Sequence, residues 1–568
     1  MIERFRNNNF YSFTGSPFNW LLLVLLLASC AQQVAPGGGP KDTTPPEIVK
    51  STPENFSTSF NASTITLVFD EYVQLKDINN QLIISPPLEK NPKMRIKGKS
   101  LVMDFESKFK ENTTYTFNFG NSIADITENN ILDSNLFIFS TGSFIDSLTL
   151  SGKVETAFNI KAEKEIYVML YQNTEDSVPY KEKPAYLSKT KENGTFQITN
   201  IKNGNYKAFA LKDLNNNFIF DQPAELIAFS DSLIIMDTSK VLNFLLFEEA
   251  QNKQYLKKSF AEQYGKLTFI FNLPTEKVEI TPLHHTFKKA WFIEEASLKR
   301  DTVSYWLTDI EGLDTLSVFI NDNKTIADTA VIAIGKKESK TEGPKGRKKA
   351  EPLHLSISNN AGKSTAFDLN KSLLLQLSHP IIDYDLSKIV LTKGADTLKF
   401  ESRFEDEALR RFEIKYTWQE DTTYQLFIPP GTFHDIFGLS NDTLIIPLKT
   451  QQLKHYGNLK LKYDVPDKGH NYIVQLMDEK EGIVMQSIIK GAETINYGYL
   501  DPKPYKLKII YDLNNNGKWD TGNYLKKLHP EKVIYYQDAI TVRSNWDMEL
   551  EWKVEQNSFE KGDKLKAR

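Results

Sequence analysis

Short segments in which apolar and polar residues alternate recur along most of the chain. Examples are STITLVFD, TYTFNF, EIYVMLY and LKLKYDV, which are rich in Val, Ile, Thr, Phe and Tyr and are separated by turn residues. Alternation with a period of two is typical of a strand that buries one face. Long helical periodicity is nearly absent, and the best candidate for a short helix is residues 249–263. The pattern predicts an all-β fold of tandem β-sandwich domains.

A short apolar run near the start of the chain indicates a targeting segment. It extends from Trp20 to Leu27 and follows the basic residues Arg4 and Arg6. A helix that spans a bilayer needs roughly 20 apolar residues, so this run predicts the core of a signal peptide over residues 1–29. No later stretch reaches about 18 consecutive apolar residues. The rest of the chain is therefore predicted to be water-soluble.

The single cysteine of the chain, Cys30, follows Leu27, Ala28 and Ser29. These four residues resemble a bacterial lipoprotein box, which implies that Cys30 is acylated and becomes the first residue of the mature protein. Residues 30–44 are rich in Gly and Pro and are predicted to form a tether. The alternative is a buried free cysteine after an ordinary signal peptide.

Two pairs of similar segments occur in the same order along the chain. Residues 113–141 align with residues 422–450, and both segments keep Thr-Thr-Tyr, a central Asp and a closing strand. The sequence DLNNNFIFD at 213–221 recurs as DLNNNGKWD at 512–520. Both pairs are separated by about 300 residues, which predicts a duplicated cassette of two sandwiches.

Several motifs resemble known envelope domains. Residues 44–142, with TPPEIVKSTPEN, ITLVFDEYV, TTYTFNF and FSTG, resemble the bacterial immunoglobulin-like domain named from the S-layer protein SbsA. Residues 148–248 and 454–552 resemble the transthyretin-like sandwich, also called Cna-B-type or carboxypeptidase regulatory-like. The lipoprotein box followed by GGPKD and a Pro-Pro pair is similar to Bacteroidota lipoproteins with this N-terminal domain. The resemblance implies a protein of the cell envelope.

These observations predict the following organisation. In chain order the segments are a signal peptide (1–29), a tether (30–44), an SbsA-type Ig-like domain (45–142), a transthyretin-like sandwich (148–248), a β-sandwich with weaker signals (264–335), a basic linker (336–352), a second Ig-like sandwich (353–450), a second transthyretin-like sandwich (454–552) and a charged tail (553–568).

The second DLNNN loop is a candidate calcium site. Calcium takes about six to eight oxygen ligands, which a tight loop supplies from alternate positions. Side-chain oxygens occupy relative positions 1, 3, 5 and 9, and a backbone carbonyl occupies position 7: Asp512, Asn514, Asn516, Asp520 and Lys518. Gly517 lies at the sharp turn, whereas Asn523 replaces the usual bidentate glutamate and should weaken binding. The alternative is a hairpin turn in which Asn and Asp bond only their own backbone.

The first DLNNN loop carries the same oxygen-bearing side chains but departs at the turn. The corresponding residues are Asp213, Asn215, Asn217 and Asp221. Phe218 stands where the glycine should be, so the loop is expected to be strained there or to follow another path. Ala224 occupies position 12 and Glu225 is adjacent. A metal in either loop is expected to be structural, because no histidine or general base lies beside it.

Composition excludes several classes of protein. The chain has 568 residues with 69 Lys and Arg against 73 Asp and Glu, a formal net charge of −4. Without a basic excess, general nucleic-acid binding is not expected. One cysteine excludes an intrachain disulfide framework and thiolate-rich metal sites. H-E-x-x-H, G-x-S-x-G and phosphate-binding glycine motifs are also absent, which favours a protein that is not an enzyme.

Three further features have structural interpretations. His284 and His285 are adjacent, and neighbours on a strand point to opposite faces, so a shared metal is not expected. Asp70 and Glu71 are also adjacent and point to opposite sides, so they are not expected to act as a pair of catalytic carboxylates. The basic run KKESKTEGPKGRKK at 336–349 is predicted to be a solvated linker, with docking on an anionic surface as the alternative.

The predicted function is a non-enzymatic envelope lipoprotein that acts as a structural or interaction scaffold, including as an accessory part of an outer-membrane assembly, secretion or transport complex. Its predicted partners are the membrane, through the lipid, and other envelope proteins. The neutral residues Ala31, Gln32 and Gln33 favour the periplasmic face of the outer membrane, because surface-exported relatives carry acidic residues there. Two alternatives stay open: a glycan- or peptidoglycan-binding adhesion module with an exposed aromatic groove, and an enzyme whose site no motif reveals.

Overall fold

The computed structural model describes residues 41–133, 135–250, 253–287, 290–310, 312–322, 326–334, 354–362, 366–466 and 469–554. Within these ranges the chain is built almost entirely of strands, which confirms the predicted tandem β-sandwich fold. The chain divides into two compact units, residues 1–145 and 146–568. The helical elements are single turns: α1 Ile78–Gln81, α2 Val178–Lys181, and the 3-10 turns η1 Leu386–Lys388 and η2 Leu453–His455.

Sandwich 1 comprises residues 48–140 and belongs to the first unit. Its strands are β1 Ile48–Thr52, β2 Thr64–Phe69, β3 Val73–Leu75, β4 Ile83–Ser85, β5 Lys93–Lys97, β6 Ser100–Asp104, β7 Thr114–Asn118, β8 Ile123–Asp125 and β9 Leu136–Ser140. The sheets have the orders β1-β2-β6-β5, β4-β7-β9 and β3-β8. Alternate residues of β2, such as Ile65 and Leu67, are fully buried and share one core with Phe117 of β7.

Sandwich 2 comprises residues 148–248 and opens the second unit. Its strands are β10 Leu148–Thr156, β11 Tyr167–Tyr171, β12 Tyr186–Lys189, β13 Thr195–Ile201, β14 Gly204–Lys212, β15 Leu226–Phe229, β16 Ile234–Met236, β17 Lys240–Val241 and β18 Phe244–Glu248. The order β12-β11-β14-β15-β18-β10-β13 runs continuously because β18 pairs with both β15 and β10. The candidate loop at 213–221 directly follows β14.

Sandwich 3 comprises residues 256–333. It begins with a strand where the sequence predicted a short helix. Its strands are β19 Leu256–Gln263, β20 Lys266–Phe271, β21 Val278–Leu283, β22 Phe292–Ala296, β23 Thr302–Leu307, β24 Thr315–Asp322 and β25 Ile326–Ala333. The helix predicted over 249–263 is wrong: a tight turn at Gly265, with φ 74°, folds β19 back on β20. The ladder that β19 forms with β20 outweighs its helical propensity.

Sandwich 4 comprises residues 357–449 and repeats the plan of sandwich 1. Its strands are β26 Ile357–Asn359, β27 Leu373–Leu377, β28 Ile381–Tyr384, β29 Val390–Lys393, β30 Asp396–Leu398, β31 Glu401–Phe404, β32 Arg411–Lys415, β33 Thr423–Ile428, β34 Phe433–Asp435 and β35 Leu444–Lys449. The orders β26-β27-β32-β31 and β28-β34 match those of β1-β2-β6-β5 and β3-β8. The repeated central residues Asp125 and Asp435 are both buried, and each carboxylate accepts backbone N–H groups of the loop that follows.

Sandwich 5 comprises residues 457–553 and repeats the plan of sandwich 2. Its strands are β36 Gly457–Asp464, β37 Asn471–Met477, β38 Ile483–Ile489, β39 Glu493–Leu500, β40 Pro504–Asp512, β41 Val533–Tyr535, β42 Ile540–Thr541 and β43 Asp547–Lys553. The sheets have the orders β39-β36-β43 and β38-β37-β40-β41. The parallel pairing of β36 with β43 corresponds to that of β10 with β18. The second candidate loop directly follows β40.

Candidate metal loops and the interfaces beside them

The second loop begins at Asp512, the last residue of β40, whose side chain is fully buried. Its Oδ1 accepts the N–H of Asn516 at 2.9 Å and its Oδ2 accepts the N–H of Gly517 at 2.9 Å. Gly517 has φ 78°, the left-handed conformation that the turn requires. The loop path is therefore set by one buried carboxylate that binds two backbone donors.

The other side chains of this loop converge on Asp520. The side-chain amides of Asn514 and Asn516 donate to its Oδ2 at 2.5 and 2.6 Å. Glu531, which is also buried, accepts the N–H groups of Leu513 and Asp520 and so closes the loop from outside. Glu531 could not be predicted from the sequence as part of the loop, because it lies eleven positions after Asp520 and no repeated spacing links it to the loop.

The first loop follows the same path despite its bulky turn residue. Asp213 accepts the N–H groups of Asn215, Asn216 and Phe218, and both Asn215 and Asn217 donate to Asp221. Phe218 has φ 64°, close to the value of its glycine counterpart. Such a conformation costs a non-glycine residue about 1–2 kcal/mol.

Packing around the first loop offsets that strain. The ring of Phe218 lies edge-to-face on Tyr167, with 5.0 Å between centroids. The buried Glu225 accepts the N–H groups of Leu214 and Asp221, as Glu531 does in the second loop. The alternative path considered from the sequence is therefore not taken.

The donor set of each loop fits a hard cation in kind, because it consists of carboxylate and amide oxygens. In the structure, amide nitrogens rather than oxygens face Asp520 and Asp221, so metal binding would require both Asn side chains of each loop to turn over. Within the described ranges, no three His, Cys, Asp or Glu side chains converge as a ligand set. In the structure each loop is closed by its own hydrogen bonds.

The segment after the second loop packs against sandwich 2. The ring of Tyr524, 1% exposed, lies 5.0 Å from Phe209 and 5.1 Å from Phe229 between centroids. Its backbone N–H donates to Glu249 Oε1 at 2.6 Å. Gly522 lies against the Phe247 ring, where any side chain would collide. Residues 519–529 thus join sandwiches 2 and 5.

Charged groups surround this contact. Asp176 of sandwich 2 accepts from Lys207 of its own sandwich and from Lys527 of sandwich 5. These two bonds hold the pKa of Asp176 well below its ordinary value. His529 stacks on Phe229, with 4.3 Å between centroids, and its Nε2 lies 2.6 Å from Asp231 Oδ1.

Sandwich 2 in turn covers the outer face of sandwich 5. Phe158 lies against Trp519, with 5.0 Å between ring centroids, and covers Lys508, whose Nζ is 3.2 Å from the Phe158 centroid. Lys508 is only 2% exposed. Burial lowers its pKa to about 8, although Glu481 opposes the shift.

We expect Lys508→Met to raise the free energy of unfolding near pH 7 by about 2 kcal/mol, because it removes a charge that is costly to bury. In the wild type, the unfolded chain binds more protons than the folded chain between pH 8 and 10.5, so this cost falls as the pH rises. The variant should therefore lose its advantage across that window. Urea unfolding at several pH values measures both effects.

Lys506→Met is the matched control, since Lys506 lies on the same strand but is 46% exposed. It should change stability by less than about 0.5 kcal/mol. Equal pH slopes for the wild type and Lys508→Met would contradict the prediction.

Sandwiches 3 and 4 meet at a charged aromatic cluster. Nη1 of Arg410 lies 2.6 Å from both carboxylate oxygens of Glu295, and its guanidinium lies 4.7 Å from the Trp306 ring centroid. The indole N–H of Trp306 donates to the same carboxylate at 2.7 Å. Burial raises the pKa of Glu295, but the Trp306 N–H and the charges of Arg410 and Lys266 more than offset it, so the pKa lies below its ordinary value.

The remaining predicted residues are not brought together as a site in the described part of the chain. Cys30 and the basic linker at 336–352 lie outside the described residues. His284 and His285 follow the end of β21 rather than lying on it, and His284 has φ 60°. Asp70 and Glu71 follow β2, and Asp70 accepts the N–H of Glu47.

The sequence of sandwich 1 matches a known domain family. Residues 42–141 match the bacterial Ig-like domain family. The match covers all nine strands of sandwich 1 and overlaps the Ig-like domain predicted for 45–142. No curated protein matches the chain. In the described part of the chain, no helix is long and apolar enough to cross a bilayer.

Several solved structures overlap the chain at low similarity. BcpA, the major pilin subunit of Bacillus cereus, has 10% identity and a TM-score of 0.14 over 72% of this chain and 99% of its own. The S-layer protein rSbsC has 10% identity and a TM-score of 0.14 over 87% of this chain and 66% of its own. Titin fragment I67–I69 has 9% identity and a TM-score of 0.12 over 46% of this chain and 94% of its own. Overlaps this low carry no argument, so the fold assignment rests on the sheets themselves.

Proposed function

We propose that this protein is an envelope lipoprotein, acylated at Cys30 and held at the periplasmic face of the outer membrane, whose sandwiches form a scaffold for other envelope proteins. The main support is the reciprocal contact between sandwiches 2 and 5. Tyr524 packs into sandwich 2, and Phe158 packs on sandwich 5. Domains joined only by flexible linkers would not bury aromatic side chains against each other in this way. A scaffold needs fixed distances between its domains, which such contacts provide.

The use of the buried carboxylates supports a non-enzymatic role. Asp125, Asp435, Asp512, Glu225 and Glu531 are all buried, and each accepts backbone N–H groups of its own loop. A general acid or base must instead have an oxygen available to a substrate. These carboxylates therefore serve loop geometry, and the second oxygen of Asp435 is bonded to His379 Nδ1 at 2.7 Å.

The membrane anchor is tested by Cys30→Ser. We expect this variant to leave the membrane fraction, because buried acyl methylenes contribute about 0.8 kcal/mol each and no other anchor is predicted. Ser29→Ala is the matched control, since it keeps a small residue before the cysteine, and it should stay membrane-bound. Retention of Cys30→Ser in membranes at high salt would refute the anchor.

The scaffold role is tested on the same membranes. Mild crosslinking followed by purification of the wild-type protein should recover a reproducible set of envelope proteins. The same set should be reduced when the contact between sandwiches 2 and 5 is broken. Recovery of no partner from wild-type membranes would argue against a scaffold.

We also propose that calcium binds the second loop, with the oxygens of Asp512, Asn514, Asn516 and Asp520 and the Lys518 carbonyl as ligands. The support is the chemistry of these donors and the left-handed turn at Gly517. Bound calcium would stiffen the loop from which residues 519–529 extend. The first loop has the same path and the same donor types, so it is proposed as a weaker second site.

Calcium is expected to raise the melting temperature of the wild type, and chelation should reverse the rise. Asp520→Asn should abolish most of this response, because it removes the carboxylate on which both Asn side chains converge. At a calcium concentration of about 100 times the Kd, the stabilisation would be about 2.7 kcal/mol. Differential scanning calorimetry with calcium, magnesium or chelator measures it.

Asp221→Asn is the matched control in the first loop, and it separates the two sites. If both single variants keep the full response, neither loop binds calcium. If only Asp221→Asn loses it, the assignment to the second loop is wrong.

A further inference from the structure

One end of sandwich 5 carries an exposed aromatic cleft that the scaffold role does not use. It lies where η2 meets the ends of β39, β36 and β43. Tyr499 and Trp546 line it and are 45% and 56% exposed. Exposed aromatic rings that line one cleft are typical of a binding surface, whereas single exposed rings need no partner.

The floor of the cleft is rigid. Tyr456 is only 5% exposed, its hydroxyl donates to Asp368 Oδ1 at 3.0 Å, and it accepts the N–H of Leu369 at 3.1 Å. The ring of Tyr499 lies edge-to-face on Tyr456, with 5.4 Å between centroids. The exposed ring is therefore held in place before any ligand binds.

The backbone at Tyr499 is unfavourable for a tyrosine. It has φ 54°, and its counterpart in sandwich 2, Asn200, has φ 59°. The two residues correspond because Leu500 pairs with Gly457 as Ile201 pairs with Leu148. Asparagine tolerates this conformation well, whereas tyrosine does not. Sandwich 5 thus keeps a strained tyrosine at a position where the same turn is satisfied by asparagine in sandwich 2.

Trp546 is likewise specific to the second cassette. Asn458 pairs with Asp547 across β36 and β43, as Thr149 meets Ser239 in sandwich 2, so Trp546 corresponds to Thr238. Sandwich 2 has neither ring: its turn at Asn200 shares the left-handed backbone of Tyr499, and its loop from Ile234 to Ser239 is two residues shorter than the loop from Ile540 to Asp547.

Polar side chains complete the cleft. Asn458 donates to Asp547 Oδ1 at 2.7 Å, and Lys454 and Asn545 are exposed beside the rings. One lysine and one aspartate leave no net charge, which disfavours an anionic ligand. The N–H groups of Asn458 and Asn545 bond the carbonyls of Trp546 and Tyr456, so these two donors are not available to an added peptide strand.

We infer that this cleft binds a saccharide, with a pyranose ring packed on Tyr499 and Trp546 and its hydroxyl groups bonded to Asn545, Asp547 and Lys454. A neutral ligand with one apolar ring face and many hydroxyl groups matches exposed rings bordered by amide, carboxylate and ammonium groups. This site goes beyond the scaffold role, and its failure would leave that role intact.

The test uses the full chain, purified in a detergent without a sugar headgroup. Calorimetric titration with chitohexaose, cellohexaose, xylohexaose and maltohexaose, together with sedimentation on purified peptidoglycan, should show binding to at least one of these probes. Tyr499→Asn and Trp546→Thr, which install the sandwich 2 residues, should each weaken that binding about five- to tenfold. The melting temperature of Tyr499→Asn should be equal to or above that of the wild type, because asparagine relieves the strained backbone.

Tyr255→Asn is the control, since Tyr255 is 43% exposed but lies directly before β19, outside sandwich 5, and it should leave binding unchanged. The inference is overturned if no probe binds or if binding survives both cleft substitutions. It is also overturned if an extended peptide, rather than a saccharide, binds in a manner that depends on Tyr499.

Discussion

Replacing Tyr524 with alanine is expected to lower the free energy of unfolding by about 4 kcal/mol, the range found for truncating a fully buried aromatic side chain. The ring is 1% exposed and packs between Phe209 and Phe229 of another sandwich. Its loss leaves a cavity at the contact between the two sandwiches, which the surrounding side chains fill only in part. In calorimetry, sandwiches 2 and 5 should unfold together in the wild type and separately in the variant.

Tyr524→Phe isolates the contribution of the ring. It removes only the 3.3 Å contact of the hydroxyl with Asp176, which should cost less than about 1 kcal/mol. If Tyr524→Ala and Tyr524→Phe unfold alike, the ring does not join the sandwiches. The interface would then depend on the Asp176 charge cluster and on Phe158.

Replacing Arg410 with alanine is expected to destabilise the contact between sandwiches 3 and 4 by about 3–5 kcal/mol, the cost of breaking a largely buried ion pair. The side chains of Arg410 and Glu295 are 12% and 26% exposed. Without Arg410, Glu295 keeps the indole N–H and Lys266 but loses the guanidinium nitrogen that contacts both of its oxygens. Arg411→Ala is the matched control: Arg411 pairs with Glu405 at the surface and should cost less than about 1 kcal/mol.

The Glu295 carboxyl in the same cluster makes the free energy of unfolding depend on pH. Because the pKa of Glu295 is lowered on folding, its contribution to stability is present above the unfolded value, near 4.5, and is lost as the pH falls through the folded value. The difference in stability between the wild type and Arg410→Ala should therefore shrink below about pH 4.5. A difference that is constant from neutral pH to pH 3 would show that Arg410 acts by packing alone.

Local chemistry explains why the loop positions were predictable. Asp512, Asn514, Asn516 and Asp520 lie within nine residues, and the bonds that shape the turn join near neighbours in sequence. The corresponding loop in sandwich 2 shows the limit of that reasoning. Phe218 contradicts the glycine rule, and only its contact with Tyr167, distant in sequence, shows how the turn accommodates it.

The interfaces were beyond the reach of sequence patterns. Tyr524 and Asp176 are separated by 348 positions, and nothing in the residues around either one indicates the other. Lys508 lies in an alternating strand, where a lysine predicts an exposed face. Its burial arises only because Phe158 of another sandwich covers that face. The helix predicted over 249–263 failed for a related reason, since the pairing of β19 with β20 outweighs propensity.

By itself, the sequence determined the all-β class and the tandem β-sandwich architecture, and it predicted the duplication and the places of the two loops. These follow from period-two alternation, turn residues and repeats, which are local properties of the chain. Only the tertiary structure decided that residues 519–529 pack on sandwich 2, that Glu531 and Glu225 close the loops, and that Tyr499 and Trp546 share a cleft. Those contacts depend on how folded surfaces fit together, and shape complementarity between distant segments leaves no periodic trace in the sequence.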